Sequence, residues 1–446
     1  MWNRRDLLRA AGVGAAATWL GCGSGRRPSA PHPAIELGGL RAALRAAVEV
    51  LGAGLAEPVA YAQVRRRIRA VVDLVERDVD DATAAVVVVA GRDRAGRWRE
   101  RALDRTSPAA IRAAAQALVI GASAGPASTG DAPLARDGAT AVTTDPGALG
   151  TADWHDVVDD LARRAAAGAN SRIVYRGVYV VTDVDQVWAV SSTSDTYQRL
   201  IRSRLGATAV AWHGSRPVAG TAEIAGGFGP EPARLTDAAL AAMNADALAL
   251  TTPGGFAPLA DAAVGMAPSV AAALVGQAWA AGVGGGPLAV ADVPDLTVGD
   301  HAGFASYFFD ALGQPARGGQ PRRSGPLARL STAPSNLVVA VGAVADLEAA
   351  VGDGVIVSGV VDVGCDGDQL AVRTSRAYRI AGGKRTGHAW RDVEVRGRLG
   401  PLLAGITAIG DRAEAVAGPD DDRPPSAIVT PAVATRARLT TARGEA

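Results

Sequence analysis

A glycine-rich break at residues 220–232, GTAEIAGGFGPEP, divides this chain into two textures. Before it, runs with helical spacing alternate with runs of β-branched residues. After it, short apolar stretches separated by Gly-rich turns dominate. At 446 residues the chain is also too long for a single hydrophobic core. The two textures predict an α+β protein: a mixed α/β N-terminal domain over residues 34–225 and a twisted β-rich C-terminal domain over residues 226–446. An apolar fraction of 48% is enough to build both cores and excludes a chain disordered throughout.

Lys and Arg number 46 against 45 Asp and Glu, a formal net charge of +1. No segment is conspicuously basic, so nothing points to nucleic acid. Residues 1–33 read as an address rather than as fold. Asn3-Arg4-Arg5-Asp6-Leu7-Leu8-Arg9 has the pattern of a twin-arginine export signal, with Arg4 and Arg5 as the pair. The weakly apolar run at 10–20 is about half the length that spans a bilayer. It ends at Cys22, after Trp19-Leu20-Gly21, a setting like a lipobox. Lipidation of Cys22 would tether the protein to a membrane without crossing it; an ordinary exported protein cleaved nearby is the alternative. Either way the expected location is periplasmic or membrane-anchored, with residues 25–33 as tether. The second cysteine, Cys365, then lacks a disulfide partner and is expected to be a small buried apolar residue.

Periodicity places the elements. A helix is expected over 37–55. Residues 61–73, YAQVRRRIRAVVD, alternate arginines across a strand, with a helix as the other possibility. A buried strand at 84–90, a turn and return strand from 91–98, and a capped helix at 107–120 follow. Residues 121–150 read as a long loop. A second cycle has an amphipathic helix at 153–168 and three strands at 171–181, 186–192 and 199–212. Beyond residue 253, strands are expected at 288–296, 336–341, 354–364, 369–374, 377–380 and 427–440. Short helices are expected at 343–351 and 401–409, and an acidic Pro-rich loop at 419–425.

The order of segments from residue 335 to 412 carries a resemblance. It runs from SNLVVAVGAVADLEAAVGDG, through RAYRIAGGK at 376–384, to the GRLGPLLAGITAIG stretch near 397–410, with SYFFDALG at 306–313 ahead of it. This pattern resembles the TldD/PmbA family, the "modulator of DNA gyrase" peptidases. The resemblance implies an α/β N-terminal domain, a twisted β-rich C-terminal domain and association as homo- or heterodimers. It also implies a peptidase acting on unfolded peptides, in which the TldD partner holds zinc through HExxxH and a later cysteine. In this chain the corresponding helix, PSVAAALVGQAWAAG at 268–282, has no His, Glu or Asp. Gly276 and Gln277 stand where His-Glu would be, and Ala281 stands at the second His. Residues 416–425, where the ligand cysteine would fall, contain none. Zinc needs three or four imidazole, thiolate or carboxylate ligands at fixed spacing. No cofactor is therefore expected, and the chain is closer to the zinc-free PmbA-like members.

Other constellations are weaker. His32, His155, His213, His301 and His388 form no helical pair. His301, beside Asp300 and Asp295, is the one histidine set on a loop ahead of the SYFFDALG segment. His155 sits among Asp156, Asp159 and Asp160, which reads as a solvated helix face. GVGGG at 282–286 follows a helix and reads as a C-cap, not a dinucleotide loop. SSTS at 191–194 lacks a paired base, and Asp420-Asp421-Asp422 reads as a solvated loop. Three readings of function follow. The first is a zinc-free subunit that works with a zinc-bearing TldD-like partner in peptide proteolysis or maturation. The second is a metallopeptidase with displaced ligands, and the third a non-enzymatic envelope lipoprotein that binds peptides or a partner.

Overall fold

The structure, a computed structural model, describes residues 39–441 apart from 75, 121–133, 168–169, 215, 252–254, 295, 299–300, 303, 320, 324–329, 333 and 418–425. Arg4, Arg5, Cys22, His32 and the 420–422 aspartates lie outside the described residues.

The N-terminal part opens with α1 (Leu40–Gly52), then β1 (Ala56–Val72), β2 (Arg77–Arg92) and β3 (Trp98–Leu103). It continues with α2 (Pro108–Val119), β4 (Ala135–Ala139), α3 (Thr151–Ala166), β5 (Ile173–Ser191), β6 (Asp195–His213), β7 (Arg216–Gly226) and α4 (Asp237–Ala249). Among the described residues these strands form one sheet in the order β3-β2-β1-β5-β6-β4, with β7 also on β6. The four helices cover one face. Even-numbered residues of β1 point to them: Ala60, Ala62 and Val64 pack with α1 and α2, and Ile68 and Ala70 with α3 and α4. Ser107 caps α2, its side chain accepting from Ala110 N at 3.4 Å, and Pro108 begins the helix, as a Ser-Pro start predicts.

Two expected strands, at 171–181 and 186–192, are a single strand, β5, running 19 residues. Asp183 and Asp185 lie in the gap between those two expected strands. Their charges are met by arginines on β1, so the strand continues through them. Helix α4 was not anticipated, because Ala and Leu are spread around it without a clear polar stripe. It follows the 225/226 boundary expected from sequence and returns to the first sheet, where Leu240, Met243 and Ala247 join the core. The approach is so close that a Cβ on Gly220 would lie 1.9 Å from the Met243 carbonyl oxygen.

The C-terminal part comprises β8 (Leu259–Met266), α5 (Pro268–Ala280), β9 (Val290–Val293), the two-residue strands β10 (Thr297–Val298) and β11 (His301–Ala302), β12 (Pro321–Arg323), β13 (Leu330–Thr332) and β14 (Asn336–Val339). It ends with α6 (Leu347–Val351), β15 (Gly354–Asp366), β16 (Gln369–Ala381), β17 (Lys384–Trp390), β18 (Val393–Arg398), α7 (Leu399–Ala404), β19 (Ala408–Ala417) and β20 (Ala427–Thr441). The strands expected at 369–374 and 377–380 are the one strand β16.

Pairing in this sheet closes on itself. β20 pairs β8, β8 pairs β15, β15 pairs β16, β16 pairs β18, and β18 returns to β20. Each of the five ring strands has a partner on both sides, while β9, β17 and β19 lie at the margins with one partner each. Val264, Val357, Val372, Val395 and Val433, one from each strand of the ring, share a buried cluster with Val270 and Leu274 of α5. Helix α5 ends in a left-handed Gly282 (φ 64°), with Val283 N donating to Ala278 O at 2.9 Å, the C-cap expected of the GVGGG run.

The two sheets are tied by Asp246 of α4. Its carboxylate pairs with Arg376 and accepts the Tyr378 hydroxyl at 2.5 Å, both residues standing on β16.

Candidate functional site

Two places can carry function: the helix marked by the resemblance, and the uncovered face of the first sheet.

Helix α5 packs through Val270, Ala271, Ala272, Leu274, Val275 and Ala278. Gly276 and Gln277 are partly exposed, and Ala281, at the helix end, is exposed. Glycine and alanine offer no side-chain lone pair, so Gln277 alone presents a polar group. A Cβ at Gly276 would already lie 2.9 Å from Ile428 Cδ1 of β20, so the wall opposite Gly276 is filled by hydrocarbon. The residues present do not fit zinc. Among the described residues, no three His, Cys, Asp or Glu side chains converge as a metal-ligand group.

The other predicted candidates are scattered. Cys365 is exposed, not buried: it lies at the end of β15, where the hairpin to β16 projects, with Sγ 3.4 Å from Gly367 O. His388 is exposed on β17, and His155 is partly buried on α3. His213 faces the carbonyl of Thr251 through Nδ1. His301 pairs with Val298 in a two-residue ribbon. Ser194 is buried and donates to Gly313 O at 2.7 Å, a structural role.

The uncovered face of the first sheet is built from odd-numbered residues of β1 and β5 and even-numbered residues of β6. Alternation along YAQVRRRIR brings Tyr61, Gln63, Arg65 and Arg67 to this face. Register sets Asp183 opposite Arg67 and Asp185 opposite Arg65. Arg67 donates to Asp183 through Nε and Nη2 at 2.7 and 2.9 Å, and Arg65 to Asp185 through the same nitrogens at 2.7 and 2.8 Å. Gln63 adds Nε2 to Asp185 Oδ1 at 3.1 Å, and Arg202 of β6 adds Nη1 to Oδ2. The side chains of Asp185 and Arg202 are each only 2% exposed, so this is a buried triad with Arg65. Burial would raise the Asp185 pKa. The charges of Arg65 and Arg202, with hydrogen bonds from Arg65 and Gln63, overcome it and hold the carboxyl well below its usual range.

A strap from the C-terminal part, residues 304–316, crosses this face. Three aromatic rings lie on three guanidinium groups: Phe304 on Arg204 (5.5 Å), Tyr307 on Arg202 (4.9 Å) and Phe309 on Arg136 (5.3 Å). Gln198 clamps the strap. Its Oε1 accepts from Phe308 N at 3.0 Å and Phe309 N at 3.2 Å, and its Nε2 donates to Phe309 O at 2.8 Å. Between strap and sheet lies a narrow cleft walled by Tyr61, Gln63, Asp185 and Gln198 on one side and Tyr307 and Asp310 on the other. Sequence reading found the alternating arginines but not this site. Its partners come from strands more than a hundred residues away, and no local spacing encodes that register.

The sequence matches no family model and no curated protein sequence. The fold does match solved structures. A candidate modulator of a DNA gyrase from Thermotoga maritima superposes with a TM-score of 0.64 at 14% identity, over 86% of this chain and 96% of that one. A candidate modulator of DNA gyrase from Bacteroides thetaiotaomicron gives 0.66 at 12% identity, over 90% and 98%. TldE from Thermococcus kodakarensis gives 0.65 at 14% identity, over 90% and 100%. The resemblance read from residues 335–412 therefore extends to the whole architecture, and the chain folds as TldE and the other TldD/PmbA-like proteins do.

Proposed function

We propose that this chain is a zinc-free subunit of TldD/PmbA type, which binds unfolded peptide and works beside a zinc-bearing TldD-like partner in peptide proteolysis or maturation. In this reading it acts outside the cytoplasm, exported through Arg4 and Arg5 and held to a membrane by lipid on Cys22. No helix among the described residues is long and apolar enough to cross a membrane, which is compatible with a lipid tether. The observation that carries the reading is helix α5, where Gly276, Gln277 and Ala281 present a single amide and Gly276 meets Ile428. Such a helix cannot polarise a peptide carbonyl or activate water through zinc. Its contribution to proteolysis would be to hold substrate or partner.

Elemental analysis of the chain from Gly23 onward, after mild dialysis, tests this. Less than a tenth of an equivalent of zinc is expected. One equivalent per chain would sink the reading and restore the metallopeptidase with displaced ligands. Cleavage of an unfolded peptide is expected only when a zinc-bearing partner is added.

A further inference from the structure

The strap that crosses the first sheet is rooted in the second. Ala305 N donates to Asn336 Oδ1 of β14 at 3.1 Å, and Tyr307 N donates to Pro294 O at 2.7 Å. Ser306 Oγ accepts from Leu296 N and donates to Leu296 O, both at 3.1 Å. A second root lies just beyond the strap, where Gly319 N donates to Asp292 Oδ2 of β9 at 2.7 Å. The chain between these roots leaves the second sheet, lies on the first and returns.

That intervening stretch holds its own shape. Ala316 N donates to Phe308 O at 3.0 Å, Asp310 N to Gln314 O at 2.8 Å and Gly313 N to Asp310 O at 3.0 Å. Asp310 Oδ1 accepts Leu312 N and Gln314 N, both at 2.8 Å. None of these bonds involves the first sheet. The hold on that sheet comes from side chains: the Gln198 clamp, with Ser194 Oγ and Arg136 Nη2 both donating to Gly313 O, at 2.7 and 2.8 Å. Each of these can be exchanged for a bond to water at small net cost, and the internal bonds survive the exchange.

Beneath the stretch lies an apolar patch. Register sets Val187 opposite Gln198 and Ala189 opposite Thr196. With Tyr61, Val86 and Val88 they form a buried cluster on which Ala311 packs. A Cβ on Gly313 would lie 2.9 Å from Thr196 Oγ1, so the stretch rests directly on this row.

We propose that residues 308–316 are a lid, which swings as one unit off the first sheet and bares this apolar patch beside the Arg65–Asp185 pair. The hinges are the 307–308 link and residues 317–319, where Gly319 already takes a φ of 68°. The lid is independent of the zinc content of helix α5.

The test is thiol labelling under native conditions. Ala189, in the patch, and Ala207, in the helix-covered core, are each 2% exposed. Cysteine is placed at one or the other in the chain from Gly23 onward, with Cys365→Ser to remove the native thiol. With an aromatic disulfide reagent in excess, Ala189→Cys is expected to label at least tenfold faster than Ala207→Cys. Its rate should be flat in low urea, because lifting a lid exposes little surface, while the Ala207→Cys rate climbs as global unfolding requires. Gln198→Ala is expected to raise the Ala189→Cys rate at least tenfold. Should Ala189→Cys fail to fold, Val187→Cys probes the same patch with the same expectations. Amide exchange on the unsubstituted protein separates swinging from melting. Phe309 N, bonded to Gln198, is expected to exchange at least tenfold faster than Ala316 N, bonded within the lid. The proposal is overturned by equal labelling of the two thiols, by a urea dependence at Ala189→Cys as steep as at Ala207→Cys, by no effect of Gln198→Ala, or by equal exchange at Phe309 and Ala316.

Discussion

Asp185 gathers Arg65, Arg202 and Gln63 onto two oxygens in a setting almost closed to water. Removing its charge leaves two buried guanidinium groups without their shared partner. Asp185→Asn is therefore expected to cost about 3–5 kcal/mol, read as a lower urea midpoint. The same carboxylate makes stability depend on pH. Its pKa is depressed in the folded protein, so its contribution is fully present above the unfolded value near ~4 and is lost as pH falls through the folded one. The protein is expected to lose stability progressively below about pH 4. In Asp185→Asn that acid limb should be shallower, and an unchanged limb would assign acid sensitivity to other carboxylates.

At the scale of elements, the strap is held by one side chain more than by any other. Gln198 meets two amides and one carbonyl of Phe308 and Phe309, so Gln198→Ala leaves three backbone groups seeking water. A loss of about 1–3 kcal/mol is expected. The sharper readout is amide exchange, which should accelerate in residues 304–316 while β5 and β6 stay protected. Acceleration throughout the sheet would mean that Gln198 supports the strands rather than the strap. Element identity was legible where pattern was strong. Ser107-Pro108 marked the start of α2, and arginine alternation offered β1 as a strand with a helix as the other reading. Each of β5 and β16 reads in the sequence as two shorter strands, with gaps at 182–185 and 375–376, where polar side chains interrupt the apolar pattern. Helix α4 escaped because it is apolar on several sides and lies between the two sheets.

For the whole molecule, the joint between the two sheets is the Asp246–Arg376–Tyr378 contact. Burial, reinforced by the charge and hydrogen bond of Asp246, pushes the Tyr378 hydroxyl well above its ordinary pKa, so it stays a donor across the physiological range. Asp246→Ala would leave Arg376 buried against α4 without its partner, and a loss of about 3 kcal/mol is expected. Calorimetry should then resolve two transitions where the native protein shows one, because less couples the sheets. A single shifted transition would mean that other contacts, among them the strap held by Gln198, suffice to couple the two sheets.

Local chemistry in the sequence determined the elements that a short window can specify: capped helices, alternating strands, glycine turns and the blank α5 helix. It also carried the order of segments that marks the fold. Tertiary structure decided what depends on register between distant strands. It closed five strands into a ring, set Asp185 between Arg65 and Arg202 and laid residues 304–316 over that triad. The physical reason is that a hydrogen-bonded ladder fixes which residues meet only after both strands are in place. The cost of a buried charge is likewise set by neighbours a hundred or more positions away.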